Sequence, residues 1–163
     1  MTDYTVIDAI DGLKTAFLTI SPPSGVDLDD RVWAWPADRA SVDYSTFPFI
    51  ICAQVLNEAG QWVPMTQGTG KHHWWAEVLI CLNNYTTRDD VSADDEESAQ
   101  EWLLKAATVF FNNRALGGAA LDIGIPEAMF TSQIGNIGWL SSKTFWGVYC
   151  RVLVHQLHSL PSI

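Results

Sequence analysis

The chain has 163 residues, of which 48% are apolar, and this length and composition are typical of a single folded domain spanning residues 1–163. Its 19 acidic side chains outnumber 9 basic ones and give a formal net charge of −10. Such a charge repels phosphate, which excludes tight binding of nucleic acid along a basic groove.

Cysteine usage and hydropathy exclude several further classes. Three cysteines without close spacing, Cys52, Cys81 and Cys150, exclude a disulfide framework and a zinc ribbon. The N-terminus lacks the basic residues of a signal peptide, and no run approaches the ~20 apolar residues that span a bilayer. The sequence therefore predicts a soluble protein, intracellular where it is made, with no membrane partner.

Apolar residues near the N-terminus recur at helical spacing and predict a helix from Tyr4 to Thr19. The periodic positions are Val6, Ile10, Leu13 and Phe17. Asp3 is expected to cap this helix, and two successive prolines end it. Residues 21–47 then form a loop-rich segment, in which Trp33 and Trp35 would share a side if extended. Pro36 limits any strand here to a short or edge strand.

Two strands are predicted next, from Phe49 to Leu56 and from Lys71 to Leu82. Between them, Gln61–Val63 is expected to begin a hairpin partner of the first strand. Residues 64–71, rich in Gly and Thr, are expected to form a mobile loop. The second strand alternates between two faces, one holding Trp74, Val78, Ile80 and Leu82 and the other holding Trp75, Glu77, Leu79 and Cys81.

A second helix is predicted from Ala93 to Asn112, with Ser92 as its cap and acidic residues in its first turn. Its buried stripe comprises Ala99, Trp102, Leu103, Ala106 and Phe110. Residues 119–125 are expected to form a short strand, and residues 126–143, rich in Gly and Asn, a mobile loop.

The last predicted element is a strand from Thr144 to Leu157 that is apolar on both faces. This pattern predicts a central strand covered on both sides, or one covered on one side and buried by a partner on the other. Most linkers between strands are too short for parallel crossovers. The order of elements predicts an α+β fold with a mostly antiparallel sheet packed against two amphipathic helices.

Candidate chemistry is sparse in this sequence, and no catalytic, cofactor-binding or metal-binding residue is assigned. His72 and His73 are adjacent on a strand and point to opposite faces, and so do His155 and His158. Neither pair can chelate a metal from one regular strand. A metal-dependent hydrolase using His72, His73 or the acidic loops is kept as a distant alternative, and a cellular binding module as a vaguer one.

The layout of the chain resembles the tail terminator and tail-completion (minor tail, neck) proteins of long-tailed bacteriophages. An N-terminal helix leads into the apolar strand at Pro48–Ile51, and a Trp-rich strand from Trp74 to Leu82 enters an acidic helix. That helix ends near Leu116-Gly117-Gly118, and the chain closes with the long strand from Phe145 to Val154.

The resemblance implies a virion structural protein without enzymatic activity, a homo-oligomer in the form of a hexameric ring that caps the tail tube and joins it to the neck. The implied partners are a second copy of the chain, the tail tube protein, a neck or head-completion protein, and DNA that passes through the lumen without sequence-specific binding. A head–tail adaptor of the same virion is the alternative. The expected subunit contacts are Trp33, Trp35, Trp62, Trp74, Trp75, Trp139 and Trp146. The expected acidic lumen comprises Asp27, Asp29, Asp30, Asp89 and Asp90.

Overall fold

The computed structural model describes residues 4–23, 25–56, 58, 60–66, 68–120, 122–123, 130–140 and 142–160. These residues form two α-helices, α1 (Val6–Leu18) and α2 (Ala93–Asn112). Seven strands complete the described structure: β1 (Val32–Ala34), β2 (Phe49–Gln54), β3 (Gln61–Thr66), β4 (Thr69–Asn83), β5 (Asp122–Ile123), β6 (Phe130–Trp139) and β7 (Lys143–Ser159). The predicted α+β class is confirmed.

All seven strands belong to one sheet with the order β1-β2-β4-β7-β5. β3 lies beside the first part of β4, on the same side as β2, and β6 lies beside the first part of β7, in line with β5. Every pairing is antiparallel except that of β1 with β2. The two long strands β4 and β7 therefore form the centre of the sheet, and for β7 this position was predicted from its two apolar faces.

The alternation of β4 separates the core into two layers. Trp74, Val78 and Ile80 face the helices and join the larger hydrophobic cluster with the apolar stripes of α1 and α2. Leu79 and Cys81 face the other side and join a smaller, aromatic cluster. α1 packs over β1 and β2, whereas α2 packs over β6 and β7, so each helix covers one half of the same face.

Both helices begin with a capping box, in which a side-chain oxygen accepts from the third backbone amide and an aspartate accepts in return. Ser92 and Asp95 form the box of α2, as the sequence predicted for its cap. In α1 the cap is Thr5 with Asp8, not Asp3, because the Thr5 hydroxyl accepts from the Asp8 amide at 3.2 Å. Asp3 itself lies outside the described residues.

Gln156 joins three elements in the core at the far end of β7. Its side-chain oxygen accepts from Trp74 Nε1 at 2.8 Å, and its amide nitrogen donates to the carbonyl oxygens of Thr5 and Ala119, each at 2.9 Å. Because every polar group of this buried amide has a partner, it fixes the start of α1 and the segment after α2 against the sheet.

One pairing prediction and two loop predictions are wrong. Gln61–Val63 begins a strand as predicted, but this strand, β3, pairs with β4 and not with β2. In place of the loop predicted over residues 64–71, residues 64–66 belong to β3 and residues 69–71 belong to β4. Within residues 126–143, Phe130–Trp139 forms the ten-residue strand β6. In both segments, pairing along a long neighbouring strand outweighs the weak local propensity of Gly, Asn and Pro for strands.

Segment 21–47 also contains regular structure. It includes the short parallel strand β1 at the edge of the sheet, as Pro36 predicted. Trp33, in β1, belongs to the aromatic cluster on one face of the sheet, and Trp35, just after β1, packs against that cluster.

Candidate functional site

The seven tryptophans expected at subunit contacts separate into buried and accessible groups. Trp33, Trp74, Trp139 and Trp146 are buried in the core of the single chain, so these four cannot supply the expected contact surface. Trp35 packs edge-on against Trp139, with ring centres 5.2 Å apart, and Trp75 lies under the guanidinium of Arg151. Trp62 on β3 is 52% exposed and is therefore the most accessible of the seven.

Four exposed apolar side chains lie along the β3 edge of the sheet and in the segment before it, and we call them the hairpin patch: Leu56, Trp62, Val63 and Met65. Trp62 and Val63 are consecutive in β3, so the patch includes side chains on both faces of this edge. β3 is an edge strand in the described residues and carries no charged side chain. An apolar edge of this kind is typical of a surface that another protein covers.

A second patch lies on the opposite side of the sheet, where α2 meets β6. Leu104 and Phe111 are 66% and 69% exposed and lie seven residues apart, which places them on one face of α2. Phe130 at the start of β6 is near Phe111, with ring centres 6.4 Å apart. We call these three residues the helix patch.

The helix patch adjoins the other free edge of the sheet. No further strand pairs with the outer side of β6 in the described residues, and all ten residues of β6 are uncharged. Sequence reasoning missed this patch, although one signal was present: Leu104 and Phe111 are apolar positions outside the buried stripe of α2.

The five aspartates expected to line a lumen lie at the same end of the sheet. β1 begins just after Asp30, and its first residue pairs with Ile50 near the start of β2. Phe49 at the start of β2 in turn pairs with Cys81 near the end of β4. The 3-10 helix Arg88–Asp90 follows that end of β4. We call this end the acidic end; the five exposed residues are Asp27, Asp29, Asp30, Asp89 and Asp90.

Asp29 and Asp30 line an open depression of about 300 Å³ together with Lys14 and Asp38. Lys14 donates to Asp38 at 2.6 Å, and the Ala34 amide donates to the same oxygen at 2.8 Å. Burial opposes ionisation of Asp38, yet these hydrogen bonds and the lysine charge hold the pKa of its carboxyl below the usual range. Asp38 is thus an anion with a partner, whereas Asp29 and Asp30 add negative charge beside it.

The acidic first turn of α2 lies at the same end. Asp94, Asp95 and Glu96 follow the Ser92 cap, where the helix dipole favours negative charge. A cavity of about 230 Å³ opens next to this turn, between Arg88 and the β6 residues Ile134 and Asn136. Negative charge is therefore spread across the whole width of this end of the sheet.

A cluster of titratable groups lies on the aromatic-layer face of the sheet. Tyr149 donates to Glu77 Oε2 at 2.6 Å, and Arg151 forms an ion pair with Glu58. Burial raises the pKa of the Glu77 carboxyl, although the Tyr149 hydrogen bond and the Arg151 charge oppose the shift. The tyrosine pKa is raised as well, by burial and by the neighbouring carboxylate.

The three cysteines are free thiols in the core. Burial raises the pKa of all three, that of Cys150 to about 12, so each thiol is protonated at neutral pH. A protonated, enclosed thiol has neither the charge nor the access that a nucleophile or metal ligand needs.

Within one strand the two histidines point to opposite faces, but the sheet brings histidines of different strands together. His73 pairs directly with His155, and these rings stack with centres 4.2 Å apart at 13°. His72 and His158 share the opposite face, with centres 5.7 Å apart at 52°. In the described parts of the chain, no three His, Cys, Asp or Glu side chains are grouped to hold a metal.

Comparison with known proteins assigns no family to this chain. The sequence matches no protein-family model, and no curated protein is significantly similar to it. Among the described helices, none is long and apolar enough to cross a membrane.

Proposed function

We propose that this chain is the tail terminator of a long-tailed bacteriophage, a ring-forming subunit that caps the tail tube and joins it to the neck. The observation that carries the proposal is the placement of two different uncharged, apolar patches at opposite edges of one sheet. Two unlike patches on opposite sides favour a head-to-tail contact, which closes into a ring when the rotation between copies allows it.

Charge supports the same arrangement. Copies that each carry a net charge of −10 repel one another, so a stable contact must use surfaces without acidic side chains. The edges that β3 and β6 form satisfy this requirement, because neither strand has a charged side chain. The hairpin patch of one copy would then meet the helix patch of the next.

The acidic end fits the passage of DNA. Exposed aspartates from two separate loops lie at one end of the sheet, and a wall of such side chains repels phosphate. DNA could then move past the subunits without being held. The virion location, the tube and neck partners and the lumen are all parts of this proposal.

Native mass spectrometry of the purified chain, alone and mixed with tail tubes, tests it. We expect a closed ring of defined mass that binds the end of a tube and stops its growth. A strict monomer that never joins tubes would rule the proposal out. A ring that binds portal or head structures and ignores tubes would instead support the head–tail adaptor.

Two substitutions test the head-to-tail contact itself. Met65→Glu in the hairpin patch and Phe111→Glu in the helix patch should each stop ring formation, because each places a charge in an apolar contact. A mixture of the two variants still has one intact contact, between the normal helix patch of the first and the normal hairpin patch of the second. We therefore expect a heterodimer and nothing larger.

Ile7→Glu is the matched control, since Ile7 is 53% exposed on α1 and belongs to neither patch. It should leave the ring unchanged. If the mixed variants stay monomeric, or if the control also abolishes the ring, the assigned contact is wrong.

A further inference from the structure

All four histidines of the chain lie at the end of the sheet opposite to the acidic end. They come from the start of β4 and the end of β7, more than 80 residues apart in sequence. Because the register pairs Gly70 with His158 and His72 with Gln156, His72 and His158 are diagonal neighbours on one face.

The two histidine pairs differ in geometry. The rings of His73 and His155 are parallel and stacked, so their nitrogen lone pairs lie in parallel planes and do not converge. The rings of His72 and His158 are inclined at 52° with centres 5.7 Å apart. Two imidazoles that share one metal at 2.0–2.1 Å from each nitrogen have ring centres on the order of 5 Å apart. The spacing of His72 and His158 is close to that value.

An unsatisfied polar atom points to the same pair. His158 Nε2 is buried and has no hydrogen-bond partner among the described residues, as is also true of His73 Nε2 on the opposite face. A buried polar nitrogen of this kind costs about 1–3 kcal/mol unless a water molecule or an ion satisfies it. On the His72 face, a second imidazole is positioned to share such an ion.

An aromatic ring encloses one side of the pair. Trp62 stacks on His72 with ring centres 4.4 Å apart and lies 5.3 Å from His158. This apolar wall limits access of water to one side of the pair.

We propose that His72 and His158 bind one divalent transition-metal ion of the class that prefers imidazole, with Zn²⁺ as the physiological candidate. Two protein ligands hold the ion, and water completes its coordination. Such a site binds more weakly than a four-ligand structural zinc site. The site needs one copy of the chain, so it does not rest on the proposed ring.

Isothermal titration of the full, tag-free chain with ZnCl₂, after removal of metals with a chelator, tests the site. We expect saturable binding of one Zn²⁺ per chain and no binding of Mg²⁺, which prefers oxygen ligands. His72→Gln and His158→Gln should each weaken Zn²⁺ binding by about tenfold or more.

His73→Gln is the matched control, because it removes an imidazole from the same strand but from the opposite face. It should leave Zn²⁺ affinity unchanged. Absence of saturable binding by the wild-type chain, or an equal loss in His73→Gln, would overturn the proposal.

A fluorescence measurement keeps the test decisive if a ligand variant fails to fold. Cu²⁺ quenches nearby tryptophans, so binding at this site should quench the emission of Trp62. The Trp62→Phe variant should lose that part of the quenching while still binding Zn²⁺. Quenching that is the same in both proteins would place the ion elsewhere.

Discussion

At the scale of single residues, Glu77 is the carboxylate whose environment most opposes its charge. It lies on a central strand, half-enclosed by the sheet, with Tyr149 donating to it and Arg151 opposite to it in the register. Because burial raises its pKa, the folded protein holds the Glu77 proton more tightly than the unfolded chain does. The stability that this provides is full below the unfolded pKa and is lost as pH rises through the folded pKa.

We expect the substitution Glu77→Gln to restore the stability that the wild type loses at high pH. Glutamine keeps an oxygen that accepts from Tyr149, but it has no charge to bury. The difference in free energy of unfolding between the variant and the wild type should therefore favour the variant more at pH 8 than at pH 4. Urea unfolding of both proteins at the two pH values measures this difference. Glu101→Gln, on the exposed face of α2, controls for the change in net charge. A relative stability of Glu77→Gln that is the same at both pH values would contradict this account.

At the scale of elements, the contact between β4 and β7 leaves no room for a side chain at Gly147. A Cβ atom at this position would lie 2.0 Å from the carbonyl oxygen of Ile80, a distance that backbone atoms cannot accommodate without moving. Gly147 pairs with Cys81 near the end of β4 and lies between the two central strands, so a shift would disturb their pairing.

We expect Gly147→Ala to destabilise the protein by about 1–3 kcal/mol or more, the range for overpacking a core. Gly138→Ala is the matched control, because a Cβ atom there meets no other atom within 4 Å. It should change the stability by about 0.5 kcal/mol or less. Urea unfolding of both variants gives the comparison, and equal losses would show that the close approach at Gly147 has no energetic consequence.

The elements that the sequence predicted correctly are those with a strong period. α2 begins and ends where its cap and apolar stripe place it, and the alternation along β4 separates the two core layers as expected. β6 was missed because six of its ten residues are Gly, Ser, Thr, Asn or Gln, and its strand character comes from pairing with β7. The strand propensity of the β6 residues does not report their pairing with β7, because propensity describes each residue and not its partner across the turn.

The candidate sites were harder to predict for a similar reason. The tryptophans gave no sign of which would be buried, since large aromatic rings occur both in cores and at interfaces. The meeting of His72 with His158 depends on the register between two strands that are far apart in sequence. Only the pairing of β4 with β7 makes these two residues neighbours.

At the scale of the whole molecule, both hydrophobic clusters depend on the same two central strands. β4 and β7 contribute side chains to the helix layer on one face and to the aromatic layer on the other. Neither layer can come apart without exposing the strands that support its neighbour. This arrangement favours a single cooperative unfolding transition.

We expect far-ultraviolet circular dichroism, which reports the helices and the sheet, and tryptophan fluorescence, which reports side-chain packing, to give the same urea midpoint. Buried tryptophans occur in both layers, for example Trp74 and Trp102 in the helix layer and Trp33 and Trp139 in the aromatic layer. Two separate midpoints would show that the layers unfold independently.

The strict alternation along β4 also limits how genes for such a protein can diverge. Gain or loss of one codon inside β4 would turn every later side chain of the strand to the opposite layer, exchanging Val78 and Ile80 for Leu79 and Cys81. The same holds for β7, whose alternate residues serve both layers. Descendants of this gene should therefore differ in length at the turns, while the lengths of these two strands are inherited unchanged.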